Sequence, residues 1–225
     1  MVETLQKNEL LGKTETMIRN IIFDLAGVLL NLNLERDTKA LLSVGLPDFD
    51  GCIANNEIHG PISQYLNGLS DKPAFLKAIR PFCFPEATDE EILASMDAVL
   101  DDIPSSRMSA LVELRKRYKV YLLSNLYDTA WDLTQKLIQK EGFSVEQCFD
   151  EAFISYEMQL AKPDPRIYRK VFEATGIRPE ETIYFDDSRE NIESARALGL
   201  QACLVPMNGL ESLKEYQHLI EICSH

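Results

Sequence analysis

Asp24 closes the apolar run Ile21-Ile22-Phe23, and Gly27 follows three residues later, so this stretch reads as a buried strand ending in a turn. A carboxylate at such a tip can act as a nucleophile or a metal ligand, although an Asp at a strand end is also a common turn former or helix cap. Three further stretches have chemistry that complements it. Ser124-Asn125 follows the apolar Val120-Tyr-Leu-Leu123 and offers a hydroxyl, an amide and backbone N–H groups to an anion. Lys162, in Ala161-Lys-Pro-Asp-Pro-Arg166, brings a point positive charge to the start of a helix. Asp186-Asp187-Ser188 sets two adjacent carboxylates after Thr182-Ile-Tyr-Phe185. Taken singly, each suits a turn, an exposed loop or a helix cap. Taken together they are what phosphoryl transfer to an aspartate requires, and agreement between distant stretches is itself evidence.

The elements that must position these groups alternate regularly after Pro104. A helix over 105–117 leads into the strand 120–123, a helix over about 129–140 and the short apolar 152–154. Next come a helix over 165–175 ended by Gly176, the strand 182–185, a helix over 189–198 ended by Gly199, the strand 201–205 and a last helix over about 210–222. Strands alternating with helices imply right-handed crossovers, hence an α/β fold with a doubly wound, mainly parallel sheet. In such sheets ligands sit outside the carboxyl ends of the strands, where all four stretches fall. Residues 34–104 lack a convincing buried strand and show amphipathic helical stretches at 34–44, 62–69, 72–79 and 89–100, punctuated by Gly and Pro. Thr88 or Asp89 would cap the last of them, with Glu90 and Glu91 in its first turn. The expected organisation is a polar N-terminal extension (1–17), a core (18–32 and 105–225) and a small helical cap (33–104) inserted after the first strand.

Composition narrows the partners. The 225 residues are 45% hydrophobic, enough for a sizeable core, and 36 acidic against 23 basic residues give a formal net charge of -13. The one basic cluster, Arg115-Lys116-Arg117, ends a helix and complements its dipole, so nucleic acid is not the expected partner. Five cysteines (Cys52, Cys83, Cys148, Cys203, Cys223) occur without CxxC pairs or His-rich spacing, suggesting neither a zinc site nor a disulfide framework, and a cytoplasmic setting fits. No apolar run reaches the length of a membrane span, and the first 18 residues lack a secretory h-region. Oligomeric state is not legible.

The four stretches, Phe23-Asp24-Leu-Ala-Gly-Val28, Leu123-Ser-Asn125, Lys162-Pro-Asp-Pro-Arg-Ile-Tyr168 and Tyr184-Phe-Asp-Asp-Ser-Arg-Glu-Asn191, resemble the motifs of the haloacid dehalogenase-like superfamily, over residues 18 to 207. The last two are most similar to the branch holding the bacterial α-glucose-1-phosphate phosphatase and the N-terminal domain of epoxide hydrolase. The resemblance implies a first strand at the sheet centre with the second and fourth beside it. It implies that Asp24 accepts a phosphoryl group as an aspartyl-phosphate that water then hydrolyses. It implies Mg²⁺ held by the Asp24 carboxylate, the Ala26 carbonyl and Asp186, with Asp187 direct or through water. Ser124, Asn125 and Lys162 would hold the phosphate oxygens of a small phosphorylated metabolite, with Lys162 also balancing the carboxylates.

One position departs from the pattern. Most phosphatases of this superfamily carry a second Asp two residues after the nucleophile as general acid and base, and here that position is Ala26. A positioned acid or base contributes about 10²–10⁴-fold, so its absence slows poor leaving groups most. The expectation is therefore a preference for activated esters such as sugar-1-phosphates, or slow turnover. Hydrolysis of C–halogen or C–P bonds and a catalytically impaired binding protein are the competing readings. A dehalogenase would leave Asp186 and Asp187 idle, and the cap lysine that C–P hydrolases place about forty residues on is replaced by Tyr65-Leu66. His59, in a loop beside Gly60-Pro61, is a candidate substitute acid, and Tyr127 and Trp131 either line the entrance or pack in the core.

Overall fold

The computed structural model describes residues 17–209 and 212–223. All of the expected N-terminal extension except Met17 lies outside the described residues. β1 (Asn20–Phe23) runs through the centre of a five-stranded sheet, in the order β3-β2-β1-β4-β5, with every pair parallel. β2 (Lys119–Ser124) and β4 (Thr182–Asp186) flank it, and β3 (Glu151–Ile154) and β5 (Gln201–Leu204) form the edges. Side chains alternate between faces along a strand. Thus Ile21 and Phe23 join one core layer with Met108, Leu111 and Tyr216, while Ile22 joins a second layer with Ile167, Tyr168 and Ile192. The result is a doubly wound parallel sheet covered by helices on both faces.

Five α-helices lie between β1 and the helix that precedes β2. They are α1 (Leu34–Ser43), α2 (Phe49–Ala54), α3 (Asn56–Leu66), α4 (Lys72–Ile79) and α5 (Asp89–Asp97). α4 has the bounds that its periodicity predicts. α5 starts behind Thr88 with a full capping box to Glu91, because the side chain of each satisfies the backbone N–H of the other. Two expectations fail here. The helix foreseen over 62–69 begins at Asn56 and passes through Pro61, and α2 precedes it unforeseen. Gly60-Pro61 looked like a break, but the Asn55 cap and burial of Ile58 and Tyr65 carry the helix through the one N–H that proline lacks.

The remaining helices are α6 (Ser105–Leu114), α7 (Asp128–Lys140), α8 (Val145–Cys148), α9 (Ser155–Met158), α10 (Pro165–Thr175), α11 (Arg189–Ala197) and α12 (Leu213–Cys223). The single turns α8 and α9 are too short to leave a periodic signal. α10 is framed as its sequence dictates, with Asp164 capping the start, Pro165 at the first position and Gly176 left-handed at the end (φ 70°). Cysteine usage needs a correction. Cys52, Cys83 and Cys148 are free, but Cys203 is disulfide-bonded, which cysteine spacing alone does not reveal. Among the described residues, no helix is long and apolar enough to cross a membrane.

Candidate active site

Sheet register brings the first two carboxylates together. Phe23 lies opposite Leu122 on one side and Phe185 on the other, so one residue further Asp24 and Asp186 leave neighbouring strands side by side. Lys162 arrives from the loop after α9, and its Nζ stands 2.7 Å from Asp24 Oδ1 and 2.9 Å from Asp186 Oδ2. Asp187 completes the acidic group, since one oxygen from each of Asp24, Asp186 and Asp187 lies within 4.8 Å of the others. Gly27 makes this approach possible. It adopts φ +84°, which favours glycine, and a Cβ there would lie 2.3 Å from Asp187 Oδ2 and force that carboxylate to move.

These charges are removed from water. Asp186 is fully buried, and the side chains of Lys162 and Asp24 are 1% and 9% exposed. Burial pushes the Asp24 carboxyl up to about 7, with the Lys162 cation opposing that rise and the Asp186 anion reinforcing it. For Lys162, burial pulls the ammonium down, but Asp24 and Asp186 more than offset it and hold the group above its ordinary value. Lys162 is therefore a fixed cation at neutral pH. Asp187 is raised by burial and by Asp186, with Lys162 opposing.

Asp186 is the most heavily supported member. Its Oδ1 accepts from Ser188 N–H at 2.7 Å, both of its oxygens lie 3.1 Å from Asn191 Nδ2, and Tyr184 OH donates to Oδ2. Tyr184 also places its ring 5.7 Å from Lys162 Nζ. These supports were not foreseen as functional, although Tyr184 and Asn191 lie inside the motif around Asp186 and their spacing was the available signal. Asn125 is used differently from expectation. Its Oδ1 accepts from Lys162 N–H and its Nδ2 donates to Lys162 C=O, both at 2.9 Å, so its side chain clamps the lysine backbone. Ser124 Oγ is buried without a hydrogen-bond partner, a costly condition that an anion's oxygen would relieve.

The outer candidates separate. Tyr127 packs in the core with its hydroxyl on Met96 C=O at 2.7 Å, and Trp131 is half-buried against the same core. His59 is on α3 rather than in a loop, and it faces a cavity of about 410 Å³ shared with Asn125 and Lys162. Three clustered carboxylates form a hard-oxygen donor set suited to a divalent cation such as Mg²⁺, and the unpartnered Ser124 hydroxyl suits the anion that would accompany it.

A doubly wound sheet with acids, a buried cation and an unpartnered hydroxyl at its strand tips defines an α/β enzyme core. A family model for haloacid dehalogenase-like hydrolases matches residues 18–199, and the chain belongs to that family and is a hydrolase. It is 27% identical over 201 residues to D-ribitol-5-phosphate phosphatase of Bacteroides thetaiotaomicron, covering 88% of this chain and 97% of that protein. It is 26% identical over 213 residues to bifunctional epoxide hydrolase 2 of Mus musculus, covering 78% of this chain and 38% of that protein. A crystal structure of a HAD family enzyme from Bacteroides thetaiotaomicron is similar with a TM-score of 0.82 and 33% identity, covering 90% of this chain and 98% of that one. Its complex with magnesium and inorganic phosphate gives 0.78 and 34%, covering 86% and 96%.

Proposed function

We propose that this protein is a Mg²⁺-dependent phosphatase of small, singly phosphorylated sugars or polyols, acting through an aspartyl-phosphate on Asp24. The observation that carries the reading is Lys162 Nζ bridging Asp24 and Asp186 with Asp187 beside them, and the unpartnered Ser124 hydroxyl at the end of β2, the strand next to β1, supports it. Mg²⁺ would be held by Asp24, the Ala26 carbonyl and Asp186, with Asp187 direct or through water. When bound it offsets negative charge so that an anionic phosphate and a carboxylate can meet. Asp24 attacks phosphorus, its P–O bond forming as the bond to the leaving oxygen breaks. Ser124 and Lys162 hold the transferring oxygens, and Asn125 fixes Lys162 in place. The departing oxygen takes its proton from solvent, since Ala26 supplies none, and water then adds to phosphorus and breaks its bond to Asp24, releasing inorganic phosphate and restoring the carboxylate.

A crevice between the helical cap (33–104) and the loop carrying Lys162 is the candidate seat for the sugar part of the substrate; Asn125 and Lys162 line it, while Asp24, Ser124, Asp186 and Asp187 do not. Its volume of about 410 Å³ is near the lower end of the usual 300–1,000 Å³ range for ligand sites, which suits a monosaccharide-sized group. His59, Ser63, Asn67 and Gln159 supply polar contacts, no Phe, Tyr or Trp lines the crevice to stack a base, and the charge of Arg166 is paired with Asp164 at 2.5 Å. The names of the relatives, which include D-ribitol-5-phosphate phosphatase and a phosphorylated carbohydrates phosphatase from Thermotoga maritima, support the same class.

A panel of phosphate esters assayed with and without Mg²⁺ tests the proposal. Metal-dependent phosphate release that Asp24→Asn lowers by about 10⁴-fold or more supports it. Halide release without metal would establish the dehalogenase reading, and silence on every substrate by a folded protein would establish a binding role. Ala26→Asp restores an acid near the leaving oxygen. It is expected to raise turnover of alkyl phosphates by about 10-fold or more and that of anomeric phosphates less. Equal effects on both would remove the leaving-group argument.

A further inference from the structure

Asn208, in the loop after β5, is one of two described non-glycine residues with a positive φ, at 58°. Such a conformation persists in a non-glycine residue when its surroundings hold it. Here all four polar groups of the residue are committed. Its N–H donates to Gly27 C=O at 2.7 Å, and its C=O accepts from Arg107 Nη2 at 3.1 Å. Its Oδ1 accepts from Leu32 N–H at 3.0 Å, and its Nδ2 donates to Leu32 C=O at 3.1 Å, imitating a strand partner.

The three partners belong to different parts of the machinery. Gly27 follows Ala26 directly, Asp187 Oδ2 occupies the space a Cβ at Gly27 would need, and the Gly27 carbonyl is bonded to Asn208, so the turn neighbours both residues. Leu32 begins the outgoing linker to the helical insert and bridges antiparallel to Leu100 on the returning linker. Asn31 extends that ribbon, donating to Asp102 C=O and accepting from Asp101 N–H, each at 2.8 Å. Arg107 is fully buried on α6 and also donates to Leu29 C=O at 3.2 Å and Asn31 Oδ1 at 2.8 Å. One side chain and its backbone therefore touch the turn after the candidate nucleophile, the root of the insert and a buried cation.

We infer that Asn208 is a positioning residue that fixes the Ala26–Gly27 turn against Asp187 while tying that turn to the root of the helical insert. The alignment of the oxygen ligands and the seating of the insert over the site are thereby set by one clasp. This inference rests on the proposed role of Asp24, Ala26 and Asp187 around a divalent cation.

Asn208→Gly opens the clasp at one end, because glycine accepts the positive φ and can still make both backbone hydrogen bonds, but the residue bonded to Gly27 loses its anchorage to Leu32. Thr88→Ala, which removes the cap of α5 far from the site, serves as a control with comparable loss of stability. Mg²⁺ affinity is read by calorimetry with the metal alone and by the Mg²⁺ dependence of the initial rate. Asn208→Gly is expected to weaken Mg²⁺ by about 10-fold, the low end for outer support of a metal site because the anchorage lost lies one residue beyond the Ala26–Gly27 turn, and to lower kcat with little change in KM. Thr88→Ala is expected to lower Tm and leave Mg²⁺ affinity unchanged. An unshifted affinity in Asn208→Gly, or an equal shift in Thr88→Ala, overturns the inference while wild-type activity stands. A wild-type protein that neither binds Mg²⁺ nor releases phosphate removes the functional reading, and this inference with it.

Discussion

Ser124 and Asp128 are four residues apart, yet they belong to polar clusters of opposite character, the first buried and the second partly exposed. Ser124 ends β2 at the strand-tip level, where Lys162 is shared by two carboxylates, and its buried hydroxyl has no partner. Asp128 opens α7 and is tied to the helical insert by the Tyr65 hydroxyl and by Lys72 Nζ at 3.5 Å. Nearby, Thr129 Oγ1 donates to Asp97 Oδ1 at 3.2 Å, and the Tyr65 ring stacks on Phe75 and Tyr127 at 4.6 and 5.0 Å. The first cluster keeps polar capacity in reserve, and the second uses its capacity to fasten the insert to the core. They differ in depth too, since the Asp128 and Lys72 side chains are 32% and 39% exposed while Lys162 is 1% exposed, so the site combines burial with an unused polar group and the fastening does not.

Variants in the two clusters are expected to separate along that line. Lys162→Met strands two buried carboxylates and is expected to cost about 3 kcal/mol or more by denaturant unfolding, while also abolishing measurable turnover. A stable, active Lys162→Met would mean the strand-tip charges do not depend on one another. Tyr65→Phe keeps the stacked ring but removes the hydroxyl from Asp128, and about 1.5 kcal/mol of stability should go with kcat unchanged. A large fall in kcat at wild-type stability would move the Asp128 cluster into the catalytic machinery.

The smallest effect concerns Asp97, whose carboxyl burial pushes up from 3.8 to about 6 against the opposing Thr129 hydrogen bond. A raised carboxyl binds its proton more tightly in the folded state. The stability it contributes is present below its unfolded value and is lost as pH rises through about 6. Asp97→Asn should therefore gain on the order of 1 kcal/mol at pH 8 and nothing at pH 4. A gain that is the same at both values would assign the effect to packing.

Much of the core was legible in local pattern. Ile21-Ile22-Phe23 and Thr182-Ile-Tyr-Phe185 announce buried parallel strands because burial on both faces requires a continuous apolar run. Pro165 and Gly176 mark their helix ends because each residue type suits one backbone geometry. α3 was less legible, since an interior proline in sequence does not reveal that Ile58 and Tyr65 find a core to pack against. Asn125 shows the same limit in the site. Its residue type suggests an anion ligand, but the Lys162 backbone takes both ends of its amide.

The chain's order of residues determined which chemistry is available here: acids, an amide, a hydroxyl and a lysine placed where strands stop, with Ala26 where an acid is usual. Tertiary structure decided how those groups are spent. Lys162 is divided between Asp24 and Asp186, Asp187 is pressed to Gly27, and Asn208 reaches Leu32 across 176 residues. The physical reason is range. Backbone preference and hydrophobic period act over a few residues, whereas a hydrogen bond or ion pair depends on positions that only the finished packing defines.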